Sequence, residues 1–342
     1  MTRLKYYTKM PNLKNLLSFK FSTATFLLVI LSLFLHVSPI QAQTVKKIKT
    51  IIIDPGHGGS DHGAHGEYEG TLGSREKDIT LAISMKLVAE LKKQMPDVII
   101  LPTRTTDVFH DVRQKAKFAN DNNGDLFVCI HADAVELKTG SRITGYKTET
   151  YYKTSYTGKG KARKKIRTKH TREVPIKQYY KIPTARKGTS TLILAAHKTD
   201  AKLKALEDGD FFNTEQNDSS ITVNYDSPEW KASALLYSQN YFKRSYMLAE
   251  AVQEEVAKTG RNDLGVWQRQ IGLHVLQATR MPAILIETGF IANYEDERYL
   301  NSEKGQQEIA EAITKALLRY KASVETPRTK SVVTQVISPD GK

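Results

Sequence analysis

The sequence predicts an α/β layered domain with a largely parallel sheet, and three observations carry that prediction. Short, unbroken apolar runs recur at residues 51–53, 98–101, 126–130 and 283–286, the pattern of strands buried on both faces. Helical spacing lies between and after them: Ile79, Ile83, Leu87 and Leu91; then Phe242, Ser245, Leu248, Ala249, Val252 and Val256, closed by Gly260; then Ile309, Ile313, Ala316, Leu317 and Tyr320. The composition, 40% hydrophobic and 26% charged, is that of a folded soluble chain and excludes a collagen, a coiled-coil rod or a wholly disordered polymer. Strand and helix in alternation specify a sheet covered by helices.

From the amino end, residues 1–42 carry five Lys/Arg and no acid, then a ten-residue apolar run from Phe26 to Leu35 broken only by Ser32, then Pro39 and Ala42. Cations, a short apolar stretch and a small residue at a cleavage point read as a signal peptide, and the run is about half of the roughly 20 residues that span a bilayer. The mature chain is expected to start near Gln43, with Met10 as an alternative start codon, and the protein to be exported to the periplasm or cell envelope. One domain is expected over residues 43–320, interrupted by a basic insert at 151–188 and by a segment at 198–239, with a flexible tail at 321–342. The net charge of +14 does not describe a nucleic-acid binder, because residues 1–42 and the insert hold the excess and the rest of the chain is slightly acidic. Cys129 is the one cysteine, so a disulfide framework and a zinc site built on a Cys pair are both excluded.

The chemistry lies where the strands end. The first runs into Asp54-Pro55-Gly56-His57-Gly58-Gly59, the third into His131-Ala132-Asp133, and the last into Glu287-Thr288-Gly289-Phe290. Parallel α/β sheets gather ligands at the carboxyl ends of their strands, so two imidazoles and a carboxylate are expected on one edge. Glu76 opens the helix after the polar loop 58–75 and reaches the same edge. His, Glu and His with one open position make a catalytic zinc shell. His62 and His65 read as solvent-facing loop residues, and Cys129 as a small buried side chain. No spacing argument decides His197 or His274. Arg104 and Arg113 read as scaffold salt-bridge partners, with contact to an acidic peptide as the alternative.

These motifs carry a resemblance. The 54–59 run with Asp61, Gly63 and Ala64, then Glu76-Lys77-Asp78 with Leu81, Thr103-Arg104 with Asp107, Arg113 with Ala119-Asn120, His131-Ala132-Asp133, and Glu287 with Gly289-Phe290-Ile291 and Asn293 occur in the order of the zinc-dependent N-acetylmuramoyl-L-alanine amidases of bacterial cell walls, which the chain resembles over residues 48–145 and 240–320. The resemblance implies one Zn2+ per chain on His57, Glu76 and His131, with Glu287 as the catalytic carboxylate. It implies hydrolysis of the amide between N-acetylmuramic acid and L-alanine in peptidoglycan, on a single α/β domain with a mixed sheet between helices. Two other readings stand beside it: a non-catalytic wall-binding protein, and a zinc peptidase acting within the stem peptide.

The insert holds thirteen Lys/Arg and one acid over residues 151–187 and reads as a solvated arm or as a contact with anionic envelope polymer or a membrane surface. Strand-like pieces flank it at 148–152 and 191–195, and the sequence does not decide which continues the main sheet. Nucleic acid is the weakest partner, since export argues against it. The 198–239 segment resembles a regulatory insertion that occludes the zinc until an activator protein binds, with Glu207, Asp208 or Asp210 as the blocking acid.

Overall fold

The computed structural model describes residues 47–133, 135–195, 227–269 and 272–326. Strand β1 (Thr50–Pro55) is buried at every position. Helix α1 (Glu76–Gln94) follows, then β2 (Ile99–Pro102), α2 (Val112–Asp121) and β3 (Leu126–Asp133). A capping box starts α2: Asp111 accepts from the amides of Arg113 and Gln114, and the Gln114 side chain accepts from the Asp111 amide. Two long strands, β4 (Thr139–Thr157) and β5 (Lys164–Lys181), come next, then β6 (Thr189–Leu194), α3 (Pro228–Ala257), β7 (Asp263–Arg269), α4 (His274–Ala278), β8 (Ala283–Phe290), α5 (Tyr294–Asn301) and α6 (Glu303–Glu325). No helix among the described residues is long and apolar enough to cross a membrane.

Six strands form one sheet in the order β2-β1-β3-β8-β6-β7. The first four are mutually parallel, β6 runs antiparallel to β8, and β7 parallels β6. The mixed character has a local cause. β3 ends at the carboxyl edge of the sheet, β4 and β5 leave that edge and return to it as an antiparallel ribbon, and β6 must then run back the other way. The period-2 alternation of side chains divides the core. Ile51 and Ile53 face α1, α3 and α6, while Ile52, Phe127 and Cys129 face α2 and α4. Helices therefore cover both faces, as the fold class predicts.

The structure bears on several expectations. The piece at 191–195 belongs to the main sheet as β6, whereas 148–152 lies in the ribbon. The basic insert is solvated, as the sequence reads. It is part of a register-defined two-stranded ribbon that begins at Thr139, well before residue 151. The expected tail at 321 is displaced because α6 runs on to Glu325, where the Glu325 carboxylate accepts from the Ile48 amide at 2.7 Å and ties both ends of the domain together. In the segment 198–239, Pro228 onward is already α3, with proline in the first helical turn where its missing N–H costs nothing. The signal peptide, His197, and Glu207, Asp208 and Asp210 lie outside the described residues.

Candidate metal centre

The turn after β1 sets His57 at φ 58°, followed by Gly58 at 133° and Gly59 at 57°. A non-glycine residue in this region is strained and persists only where its surroundings hold it. Arg104, 3% exposed, donates to the carbonyls of Pro55 (3.2 Å), Gly56 (2.9 Å) and Lys77 (2.9 Å). Lys115 donates to the Pro55 carbonyl at 2.8 Å and pairs with buried Asp54 at 3.0 Å. Two buried cations thus clamp the turn. Arg104 serves as a backbone clamp rather than the salt-bridge partner expected, and Arg113 is exposed on α2.

Glu76 is the first residue of α1, where the helix dipole favours a carboxylate. One of its oxygens, Oε1, accepts from the Ala132 amide at 3.0 Å and lies 2.8 Å from His131 Nδ1. The other, Oε2, accepts from the Ala64 amide at 2.8 Å and lies 3.0 Å from His57 Nε2. The far nitrogen of His57, Nδ1, is 2.8 Å from Asp61 Oδ2. The two imidazole centroids are 4.9 Å apart, and donor atoms of His57, Glu76 and His131 all lie within 4.8 Å of one another. The backbone leaves no slack around them. A Cβ on Gly63 would lie 2.5 Å from Glu76 Oε2, and one on Gly56 would lie 2.7 Å from the His131 ring.

Electrostatics mark the same spot. Burial alone raises the Glu76 carboxyl, but its bonds to His131 and His57 outweigh that and hold it well below the usual range. Burial lowers the His57 imidazole, while Glu76 and Asp61 outweigh it and leave the ring raised. Glu287 stands opposite His131 in the β3–β8 register, 7% exposed, and its buried Oε2 has no hydrogen-bond partner. Burial, then the neighbouring carboxylates of Asp133 and Glu76, push the Glu287 carboxyl well above its usual range, against a smaller opposing pull from Arg269. An orphaned carboxyl oxygen among other carboxylates is a deficit of positive charge. His57, Glu76 and His131 could hold a divalent cation that would offset it, and the borderline-soft N/O donor set fits zinc.

The remaining candidates separate from this cluster. His62 and His65 stack edge-on, centroids 5.5 Å apart, and are not in the metal-competent group. His274 is exposed at the start of α4. Cys129 is buried as expected but is more than apolar filling, since its thiol donates to Asp54 Oδ2 at 3.0 Å. Asp61 is the functional neighbour that the sequence reading left without a role. Its signal was its place four residues after His57 in a tight glycine loop.

The 66–75 loop leading to Glu76 is anchored by Glu297 of α5, which is fully buried. Its carboxylate accepts from the Tyr68 hydroxyl, Thr71 Oγ1 (2.7 Å), the Leu72 amide (3.1 Å) and Ser74 Oγ (2.7 Å). Burial raises this carboxyl, and the bonds from Thr71, Tyr68 and Ser74 overcome it, so the net pKa is depressed below 4.5. A depressed carboxyl stabilises the fold fully above its unfolded pKa and stops doing so as pH falls through the folded one. Glu297→Ala should therefore cost about 3 kcal/mol at pH 7, as several buried donors lose their acceptor. The difference from wild type should narrow below about pH 4. Chemical denaturation at both pH values checks this, and a pH-independent difference would remove the carboxylate from the account.

The fold and site together define a class: an α/β domain with a candidate His–Glu–His metal centre and a buried carboxylate at one sheet edge. Residues 51–319 match the family model described as N-acetylmuramoyl-L-alanine amidase, and the chain belongs to that family. It is 29% identical to the N-acetylmuramoyl-L-alanine amidase AmiC of Escherichia coli O6:H1 over 276 residues, 81% of this chain and 54% of that protein. With AmiA of Salmonella typhimurium it shares 26% identity over 285 residues, 83% of this chain and 80% of that one. The chain thus spans about half the length of the first relative and four-fifths of the second. The crystal structure of an N-acetylmuramoyl-L-alanine amidase from Clostridium difficile 630 shares the fold, with a TM-score of 0.50 at 24% identity over 81% of this chain and 99% of that one.

Proposed function

We propose that this protein is a zinc-dependent hydrolase of the amide joining N-acetylmuramic acid to L-alanine in peptidoglycan, acting in the cell envelope after export. The observation that carries the reading is the convergence of His57, Glu76 and His131 beside Glu287, whose buried Oε2 has no hydrogen-bond partner. His57, Glu76 and His131 would hold the ion, and zinc, when bound, supplies a Lewis acid that acidifies water and polarises the amide carbonyl. Asp61, bonded to Nδ1, orients the His57 ring and leaves Nε2 for the metal. Glu287 accepts a proton from the attacking water and delivers it to the departing alanine nitrogen as the C–N bond breaks. The products are a lactyl carboxylate and a free amine. No side-chain nucleophile is required. Burial pushes the Cys129 thiol well up, which keeps it protonated and out of the chemistry.

The test is to incubate the protein with purified peptidoglycan, with and without chelator, and to weigh the soluble fragments by mass spectrometry. Intact stem peptides with a free alanine amine, absent under chelation, are expected. Peptides cut internally would instead make it a zinc peptidase, and binding without release would make it a wall-binding protein.

A further inference from the structure

The β4–β5 ribbon is the largest feature that the proposed reaction leaves without a role. It is 19 residues long on one strand and 18 on the other, roughly 60 Å at 3.3 Å per residue. It packs no layer on either face, and almost every residue is exposed. Two-stranded ribbons of this kind are marginal in water without a cover. Thirteen Lys/Arg face two Glu over residues 139–181, and they are shared between the two sides.

The aromatic residues are not shared evenly. In the observed register, directly paired residues lie on the same face, which puts Tyr146, Tyr152, Tyr156 and Tyr179 on one side with Lys165, Lys169 and Lys177. All four tyrosines are more than half exposed, at 62%, 53%, 54% and 67%. Arg167 lies 4.7 Å from the Tyr152 ring centroid and Arg163 lies 4.3 Å from that of Tyr156, so guanidinium groups brace the rings without burying them. On the opposite side Tyr151 is stacked on His170 and Tyr180 lies under Arg142. Lysines on an exposed ribbon also blunt edge-to-edge pairing, but that requirement does not sort tyrosines to one face.

Position supplies the occupant. The ribbon grows from the edge between the strand that carries His131 and β6, whose Ser190 pairs with Glu287. Its root is fastened to the loop that leads to Glu76 by the Arg142–Glu69 pair at 3.0 Å and by the Glu69 amide on the Lys181 carbonyl at 3.4 Å. A polymer lying along it arrives at the catalytic edge. Resting on the function proposed above, we infer that the Tyr146–Tyr152–Tyr156–Tyr179 face binds the uncleaved peptidoglycan strand, its sugar rings against the phenol rings and its stem-peptide carboxylates against the lysines. A lipid surface fits less well, because the tip at residues 158–163 is Gly, Lys, Ala and Arg with no large apolar side chain to insert. Removing a stem peptide takes its carboxylates away and leaves a single lactyl carboxylate on the sugar, so the cleaved strand is less anionic and the ribbon favours substrate over product.

The experiment is cosedimentation of the full chain carrying Glu287→Gln, so that binding is read without turnover, with intact peptidoglycan over a salt series. Further arms use peptidoglycan stripped of stem peptides, phosphatidylglycerol vesicles and single-stranded oligothymidine. Adding Lys165→Gln, Lys169→Gln, Lys177→Gln, Tyr152→Ser and Tyr156→Ser should weaken binding to intact strands about tenfold, the sum of a few exposed pairs, and flatten its salt dependence. The opposite-face control Lys147→Gln, Lys153→Gln and Lys164→Gln should bind nearly as the parent does, and stripped strands should bind more weakly than intact ones. Equal losses from the two faces, equal binding of intact and stripped strands, or tighter binding to vesicles or oligothymidine would each overturn the inference. If the protein with Glu287 intact cleaves nothing, the proposed reaction falls while these binding arms still decide the ribbon.

Discussion

Glu287→Gln is expected to keep its metal and lose turnover by about 10²–10⁴-fold, the usual contribution of a positioned general base. The amide has the size of the carboxylate, but it cannot take a proton from water or return one to the leaving nitrogen. Stability should move the other way. A buried acid whose pKa is raised on folding binds a proton in the native state that the unfolded chain has released, so it destabilises the fold as pH rises from 4.5 toward the folded value. Metal-free wild-type protein should therefore lose stability across that window, and metal-free Glu287→Gln should lose less. Zinc content, fragment release and chemical denaturation between pH 4 and pH 8 measure the three effects. Near-normal turnover would remove Glu287 from the mechanism. A wild-type stability curve with the variant's pH dependence would show that the carboxyl is not strained by its neighbours.

What the sequence disclosed and what it hid follow from one physical distinction. β1, β3 and β8 announce themselves because burial on both faces demands unbroken apolar runs, and α1, α3 and α6 because one face of each packs on the sheet. His57, His131 and Glu287 are legible because they directly follow or end those runs. β7, Asp263–Arg269, is half-exposed at the sheet edge and carries Gly265, so it has neither a run nor a clean alternation. The ribbon buries no face and leaves only a bias toward Thr, Tyr and Lys, from which a strand was readable at 148–152 alone. The clamps on the His57 turn were hidden for another reason. Arg104 and Lys115 meet on the Pro55 carbonyl across the fold, Lys115 also pairs with the Asp54 carboxylate, and no spacing rule links residues that share a site only in three dimensions.

The three proposed metal ligands should not respond alike to removal, because they do different structural work. His131→Ala leaves the backbone of β3 intact and deletes one donor, so the variant should fold, hold no zinc at micromolar concentrations and show no measurable turnover. His57→Ala should do the same, with some relief from alanine's smaller side chain offset by the same positive φ. Glu76 also accepts from the Ala64 and Ala132 amides, and so ties the glycine loop and the end of β3 to α1. Glu76→Ala strands the buried Ala132 donor and the half-buried Ala64 donor and should cost about 2–4 kcal/mol beyond the loss of metal, since each unsatisfied buried group costs about 1–3 kcal/mol. Chelator acting on wild type gives the reference, because zinc at a hundred times its dissociation constant stabilises the bound fold by about 2.7 kcal/mol. Thermal unfolding with and without chelator then sorts the variants. His131→Ala should match chelated wild type and ignore added zinc, whereas Glu76→Ala should fall below it. If His131→Ala retained full zinc, the ion would not sit on this triad. If Glu76→Ala unfolded no earlier than chelated wild type, the carboxylate would be a ligand without the structural task that its four contacts assign to it.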